Sequence, residues 1–71
     1  MKENLFQLAK DYIEVIEKIE KTSDLKTLHV LEEKRAELHW MFIAMLKKQG
    51  IKYKDRDHAT RIAYRIVKGE L

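Results

Sequence analysis

Residues 40–46 read Trp-Met-Phe-Ile-Ala-Met-Leu, an unbroken run of seven apolar side chains in a chain of 71 residues. The surrounding residues favour helix, and successive helical positions turn by about 100°, so seven of them circle the helix nearly twice. A helix that is apolar on every side must be covered on every side. The run therefore raises the question of whether so short a chain covers it alone or needs a partner.

The composition favours helix along the whole chain. Proline is absent, the only two glycines are Gly50 and Gly69, and Glu, Lys, Leu, Ile and Ala are frequent. We therefore predict a single all-α domain over residues 1–71. Its three helices are expected at about 3–21, 25–49 and 56–68.

Local signals mark the expected helix ends. Thr22, Ser23 and Asp24 form a turn and are the candidate caps of helix 2, and Asp55 is expected to cap helix 3. Gly50 is expected in the left-handed C′ position of a Schellman motif that brings Leu46 against Ile51. These signals predict where one helix stops and the next begins.

The apolar faces of helices 1 and 2 predict how they pair. Helix 1 is apolar over about half of its circumference, which suits more than one neighbour. Its 4-3-4-3 spacing is typical of an antiparallel helix pair and runs through Leu5, Ala9, Tyr12, Ile16 and Ile19. Helix 2 carries a matching apolar stripe made of Leu28, Leu31, Leu38, Phe42, Met45 and Leu46. We predict that the two form a long antiparallel helical hairpin.

A second, shorter stripe on helix 2 is centred on Trp40. The short link at 51–54 directs helix 3 back towards the C-terminal half of helix 2, so either helix 3 or a second subunit should cover this stripe. A core of this size is often completed by oligomerisation, which favours a homodimer that forms a four-helix-type bundle. The candidate residues of this oligomer or helix-3 interface are Trp40, Met41, Ile43 and Ala44.

Arg35 interrupts the first stripe of helix 2, where the hairpin sets it opposite Tyr12. One interpretation is that its guanidinium reaches outward towards Glu32 while its stem lies on the apolar seam. A second is a polar layer of Tyr12 and Arg35 that fixes register or oligomeric state. A third is a role for Arg35 in binding an anion.

Few residues in the chain suit catalysis or metal binding. There is no cysteine, the only serine is Ser23 in a turn, and two isolated glycines cannot form a phosphate-binding loop. His29 has helical spacing to Glu32 and Glu33, but a stable metal site needs more ligands than this group offers. We predict a non-enzymatic protein with no catalytic residue, no cofactor and no metal.

Positive charge is concentrated near the C-terminus. Residues 47–71 carry 8 Lys or Arg against 3 Asp or Glu, whereas residues 1–46 carry 7 against 9. Such asymmetry is a pointer to an anionic partner. In helix 3 the basic and aromatic residues opposite the apolar stripe form a candidate nucleic-acid face, made of Lys54, His58, Arg61, Tyr64, Arg65 and Lys68.

These observations favour a small helical interaction or regulatory module, homodimeric and acting through an unidentified protein partner. The alternative is a small nucleic-acid-binding regulator that uses the basic face of helix 3. No apolar stretch reaches the length of a membrane span, and the N-terminus lacks the apolar core of a signal peptide. Together with the absence of cysteine, this predicts a cytoplasmic location.

Overall fold

The protein is described by a computed structural model that places residues 5–70. These residues form three helices and no strand, which confirms the all-α prediction. The helices are α1 (Leu5–Lys21), α2 (Leu25–Lys48) and α3 (Arg56–Lys68). Helix α2 ends one residue before the predicted position, and the first two residues predicted for helix 1 lie outside the described part of the chain.

Side chains of the turns cap the starts of α2 and α3 as expected. The Asp24 carboxylate accepts hydrogen bonds from both the backbone N–H and the hydroxyl of Thr27, at 2.8 and 2.7 Å. The Asp55 carboxylate accepts from the backbone N–H of His58 at 2.8 Å. Each bond satisfies a backbone or side-chain donor at a helix start that has no partner within the helix.

The end of α2 forms the predicted Schellman motif. Gly50 has a φ of +75°, in the left-handed region. Its N–H donates to the Lys47 carbonyl at 3.1 Å, and the N–H of Ile51 donates to the Leu46 carbonyl at 2.9 Å. These are the two bonds that define the motif, and they stop α2 where the glycine stands.

Helices α1 and α2 pack against each other as a hairpin joined by the turn at 22–24. Their seam forms the centre of the core, where Ala9, Phe42 and Leu46 have no exposed surface and Tyr12 retains 1%. The ring of Tyr12 stacks on Phe42, with centroids 5.7 Å apart. Burial of this seam is the main stabilising term that the fold offers.

Helix α3 packs mainly on α1, and the expectation that it folds onto the C-terminal half of helix 2 was wrong. Its buried residues are Ala59, Ile62 and Ala63, which join the cluster formed by the hairpin. The apolar arc of α1 is wide enough for two neighbours, and the small alanines let a helix come close to it. Helix α1 therefore lies between α2 and α3.

Candidate interaction surface

The position of α3 leaves one face of α2 uncovered. Trp40 is 69% exposed and Met41 is 40% exposed. Ala36 and Ala44, one turn before and one turn after Trp40, are also exposed. We call Ala36, Trp40, Met41 and Ala44 the Trp40 face. Tryptophan is among the residues most enriched at protein interfaces, so its exposure between small neighbours marks a candidate contact surface.

Three of the four predicted interface residues lie on this face, and the fourth does not. Ile43 keeps only 4% of its surface exposed and belongs to the core cluster. The helical wheel places Ile43 on the Trp40 stripe. Its position around the axis of α2 is nevertheless close enough to the core for the chain itself to cover the side chain. Trp40, Met41 and Ala44 remain accessible.

Four of the charged residues that border the Trp40 face are negative on its N-terminal side and positive on its C-terminal side. Glu33 and Glu37 precede it along α2, Lys47 and Lys48 follow it, and all four are exposed. Glu33 lies seven residues before Trp40 and Lys47 seven residues after it, so both project within about 20° of Trp40 on the helix. Among the described residues, neither Lys47 nor Lys48 forms an ion pair.

The Tyr12 hydroxyl bonds to His39 and Thr60 rather than to Arg35. The Tyr12 hydroxyl lies 3.0 Å from His39 Nδ1 and 3.1 Å from Thr60 Oγ1. Arg35 instead donates from Nε to Glu32 Oε1 at 2.9 Å, which is the outward interpretation of this residue. A partly buried polar layer of Tyr12, His39 and Thr60 thus joins all three helices.

The direction of these hydrogen bonds follows from counting protons. The Thr60 hydroxyl donates to the Arg56 carbonyl at 3.1 Å, and a hydroxyl has one proton. With Thr60 in that role, Tyr12 donates to Thr60 and His39 donates to Tyr12 from Nδ1–H, which is the tautomer that this arrangement predicts. A chain of donors runs from α2 through α1 to α3, and every hydroxyl in it both donates and accepts.

His39 also faces a cleft beside the Trp40 face. Arg35, Ala36, His39, Trp40 and Arg56 line this cleft, and the rings of His39 and Trp40 meet edge to face with centroids 5.7 Å apart. Burial lowers the pKa of His39, and the positive charges of Arg56 and then Arg35 lower it further. Both effects favour the neutral imidazole over the imidazolium.

The hydrogen bonds of His39 and Thr60 to Tyr12 were not predicted from the sequence. His39 lies one turn beyond Arg35 on the same side of α2, so helical spacing makes either residue a candidate neighbour of Tyr12. That spacing was the available signal for His39. Nothing in the sequence pairs Thr60 with Tyr12, because the two are 48 residues apart and meet only through the docking of α3 on α1.

Four of the six residues of the candidate nucleic-acid face are exposed. Lys54, Arg61, Arg65 and Lys68 are exposed, and they form no ion pair with any described carboxylate. His58 is half-buried, and its Nδ1 accepts a hydrogen bond from the backbone N–H of Lys54 at 2.9 Å.

Tyr64 also differs from the four exposed cations of that face. It is half-buried, and burial raises its pKa, followed by the negative charges of Glu20 and Glu17. A half-buried ring offers less free surface for stacking on a base than an exposed one.

Among residues 5–70, no helix combines the length and the apolar character needed to cross a membrane. Nor do three or more His, Asp or Glu side chains come together in a group suited to a metal ion. Comparison of the chain with models of protein families, with curated proteins and with solved structures found no match.

Proposed function

We propose that the protein is a non-enzymatic helical interaction module that self-associates as a homodimer through the Trp40 face. The exposure of Trp40, 69% in the isolated chain, is the observation that carries this proposal. Two α1–α2 hairpins joined at this face form the four-helix-type bundle expected for the dimer. A further protein partner would then bind the assembled dimer.

The free energy of dimerisation requires a contact surface larger than the Trp40 side chain alone. Covering about 150 Å² of indole surface at 25 cal/mol/Å² contributes about 4 kcal/mol per protomer. Two indoles contribute about 8 kcal/mol, against an association cost of about 4–15 kcal/mol. The flanking Met41, Ala36 and Ala44 must therefore take part if the dimer is to be stable at micromolar concentration.

Trp40→Ala separates the contact role of this residue from a structural one. An exposed side chain contributes little to folding, so the variant monomer should unfold within about 0.5 kcal/mol of the parent chain. Its dimer should dissociate at least tenfold more readily, as measured by sedimentation equilibrium. Leu25→Ala is the matched control, because Leu25 is 80% exposed at the far end of α2.

The outcome that contradicts the proposal is specific. If the parent chain sediments as an 8.5 kDa monomer at every concentration, and its unfolding temperature does not depend on concentration, the protein does not self-associate.

Nucleic-acid binding by α3 is the second candidate. Its support is the exposure of Lys54, Arg61, Arg65 and Lys68 without carboxylate partners among the described residues. Phosphate contact predicts that affinity for generic DNA or RNA falls steeply with salt and is lost in Arg61→Glu with Arg65→Glu. Binding that is insensitive to both rules out this use of α3.

A further inference from the structure

The charges beside the Trp40 face indicate how two copies meet, an inference that rests on the self-association proposed above. We propose that the dimer forms through an antiparallel pair of α2 helices whose two-fold axis passes close to Trp40. The partner seated on the Trp40 face is therefore a second copy of this chain in a defined register.

Charge complementarity selects the antiparallel direction. In an antiparallel pair centred on Trp40, Glu33 lies across from Lys47 of the partner subunit, and symmetry repeats this pair. A parallel pair in the same register sets Glu33 against the partner's Glu33 and Lys47 against the partner's Lys47. Like charges at facing positions are destabilising, so the parallel arrangement is disfavoured at both ends.

The side chains of the monomer leave these charges available. Glu33 has its carboxylate 3.5 Å from His29 Nε2, but both side chains are more than 70% exposed, and such pairs contribute little. Lys47 has no ion pair among the described residues. A partner carboxylate therefore displaces no strong interaction of the monomer.

The small residues of the face make room for the indoles. In this register Ala36 of one copy lies across from Ala44 of the partner subunit, one turn from each Trp40. Residues 32–48 of the two α2 helices then overlap over about 24 Å at 1.5 Å per residue. Alanines on both sides of a large ring allow the helix axes to approach while the rings fill the space between them.

Charge reversal tests the facing pair. Glu33→Lys or Lys47→Glu alone creates two like-charged pairs in the antiparallel dimer, and each should raise the Kd about three- to thirty-fold. Combining them restores the opposite-charge pairs and should return the Kd to near the parent value. In a parallel dimer all three variants keep like charges facing and leave the Kd nearly unchanged. Glu14→Lys on α1 is the control for the change in net charge.

Thiol cross-linking tests the register directly, because the chain has no cysteine and each substitution introduces a unique thiol. Ala36→Cys chains are mixed with mass-tagged Ala44→Cys chains and treated with a short bifunctional thiol reagent. The antiparallel dimer gives the mixed product, since positions 36 and 44 face each other. Positions 36 of the two copies lie about 12 Å apart along the axis, at 1.5 Å per residue.

The possible failures are distinguishable. A chain that stays monomeric removes the proposed function and this inference together. A dimer that cross-links 36 to 36 and 44 to 44, and does not respond to charge reversal, keeps self-association and overturns the antiparallel register.

Discussion

Removing a single oxygen atom from Tyr12 probes the polar layer that joins the three helices. Tyr12→Phe keeps the ring, which is 1% exposed and stacks on Phe42, so the apolar packing is retained. It deletes two hydrogen bonds, to His39 at 3.0 Å and to Thr60 at 3.1 Å. Each such bond contributes about 0.5–1.5 kcal/mol net.

The expected cost of Tyr12→Phe is at the lower end of the combined range. Thr60 keeps its bond to the Arg56 carbonyl, and His39 is only half-buried, which limits the desolvation cost of the bond that it loses. We expect the free energy of unfolding to fall by about 1–2 kcal/mol, which lowers the Tm of a domain of this size by about 4–16 °C. Tyr12→Ala should cost more, about 3–5 kcal/mol, because it also leaves a cavity.

Urea unfolding followed by circular dichroism, at one protein concentration and pH 7.5, measures these differences. Tyr53→Phe is the matched control, since the Tyr53 side chain is half-buried and its hydroxyl forms no hydrogen bond with another described residue. If Tyr12→Phe were no more destabilising than this control, the layer would not hold the helices together, and the reasoning from its geometry would fail.

Three further predictions follow from the same structure. Folding lowers the pKa of His39 from 6.5, so the unfolded chain binds this proton more readily than the folded chain. The free energy of unfolding should therefore be constant above about pH 6.5 and decline as the pH falls through the pKa of the folded state. His39→Gln should flatten that decline in urea titrations between about pH 5 and 8. Nitrogen-15 NMR should find neutral His39 protonated at Nδ1; an Nε2–H tautomer contradicts the donor chain. Gly50→Ala should cost about 1–2 kcal/mol through its φ of +75° alone, since a Cβ there meets nothing within 4 Å, and Gly50→Asn should cost less in the same denaturation assay.

The helices and their ends were predictable because the signals are local. Asp24, Asp55 and Gly50 each act within one turn of the helix end that they define. The pairing of α1 with α2 was predictable for a similar reason, since a short turn leaves two amphipathic helices little choice of partner.

The position of α3 was not predictable from the same kind of evidence. Two apolar faces, one on α1 and one around Trp40 on α2, competed for it, and the outcome depends on the width and shape of both. The same competition decided the candidate site. It left Trp40 exposed and brought Thr60 to Tyr12.

The edge-to-face contact of Trp40 with His39 also gives the chain an optical reporter. Trp40 is the only tryptophan, and its ring centroid lies 5.7 Å from that of His39. The emission of a hydrated indole shifts to shorter wavelength when a protein surface covers it, and a neighbouring imidazolium quenches that emission. The wavelength of the intrinsic fluorescence therefore follows the covering of α2, and its intensity follows the proton on His39, so both events are recorded in the unlabelled protein.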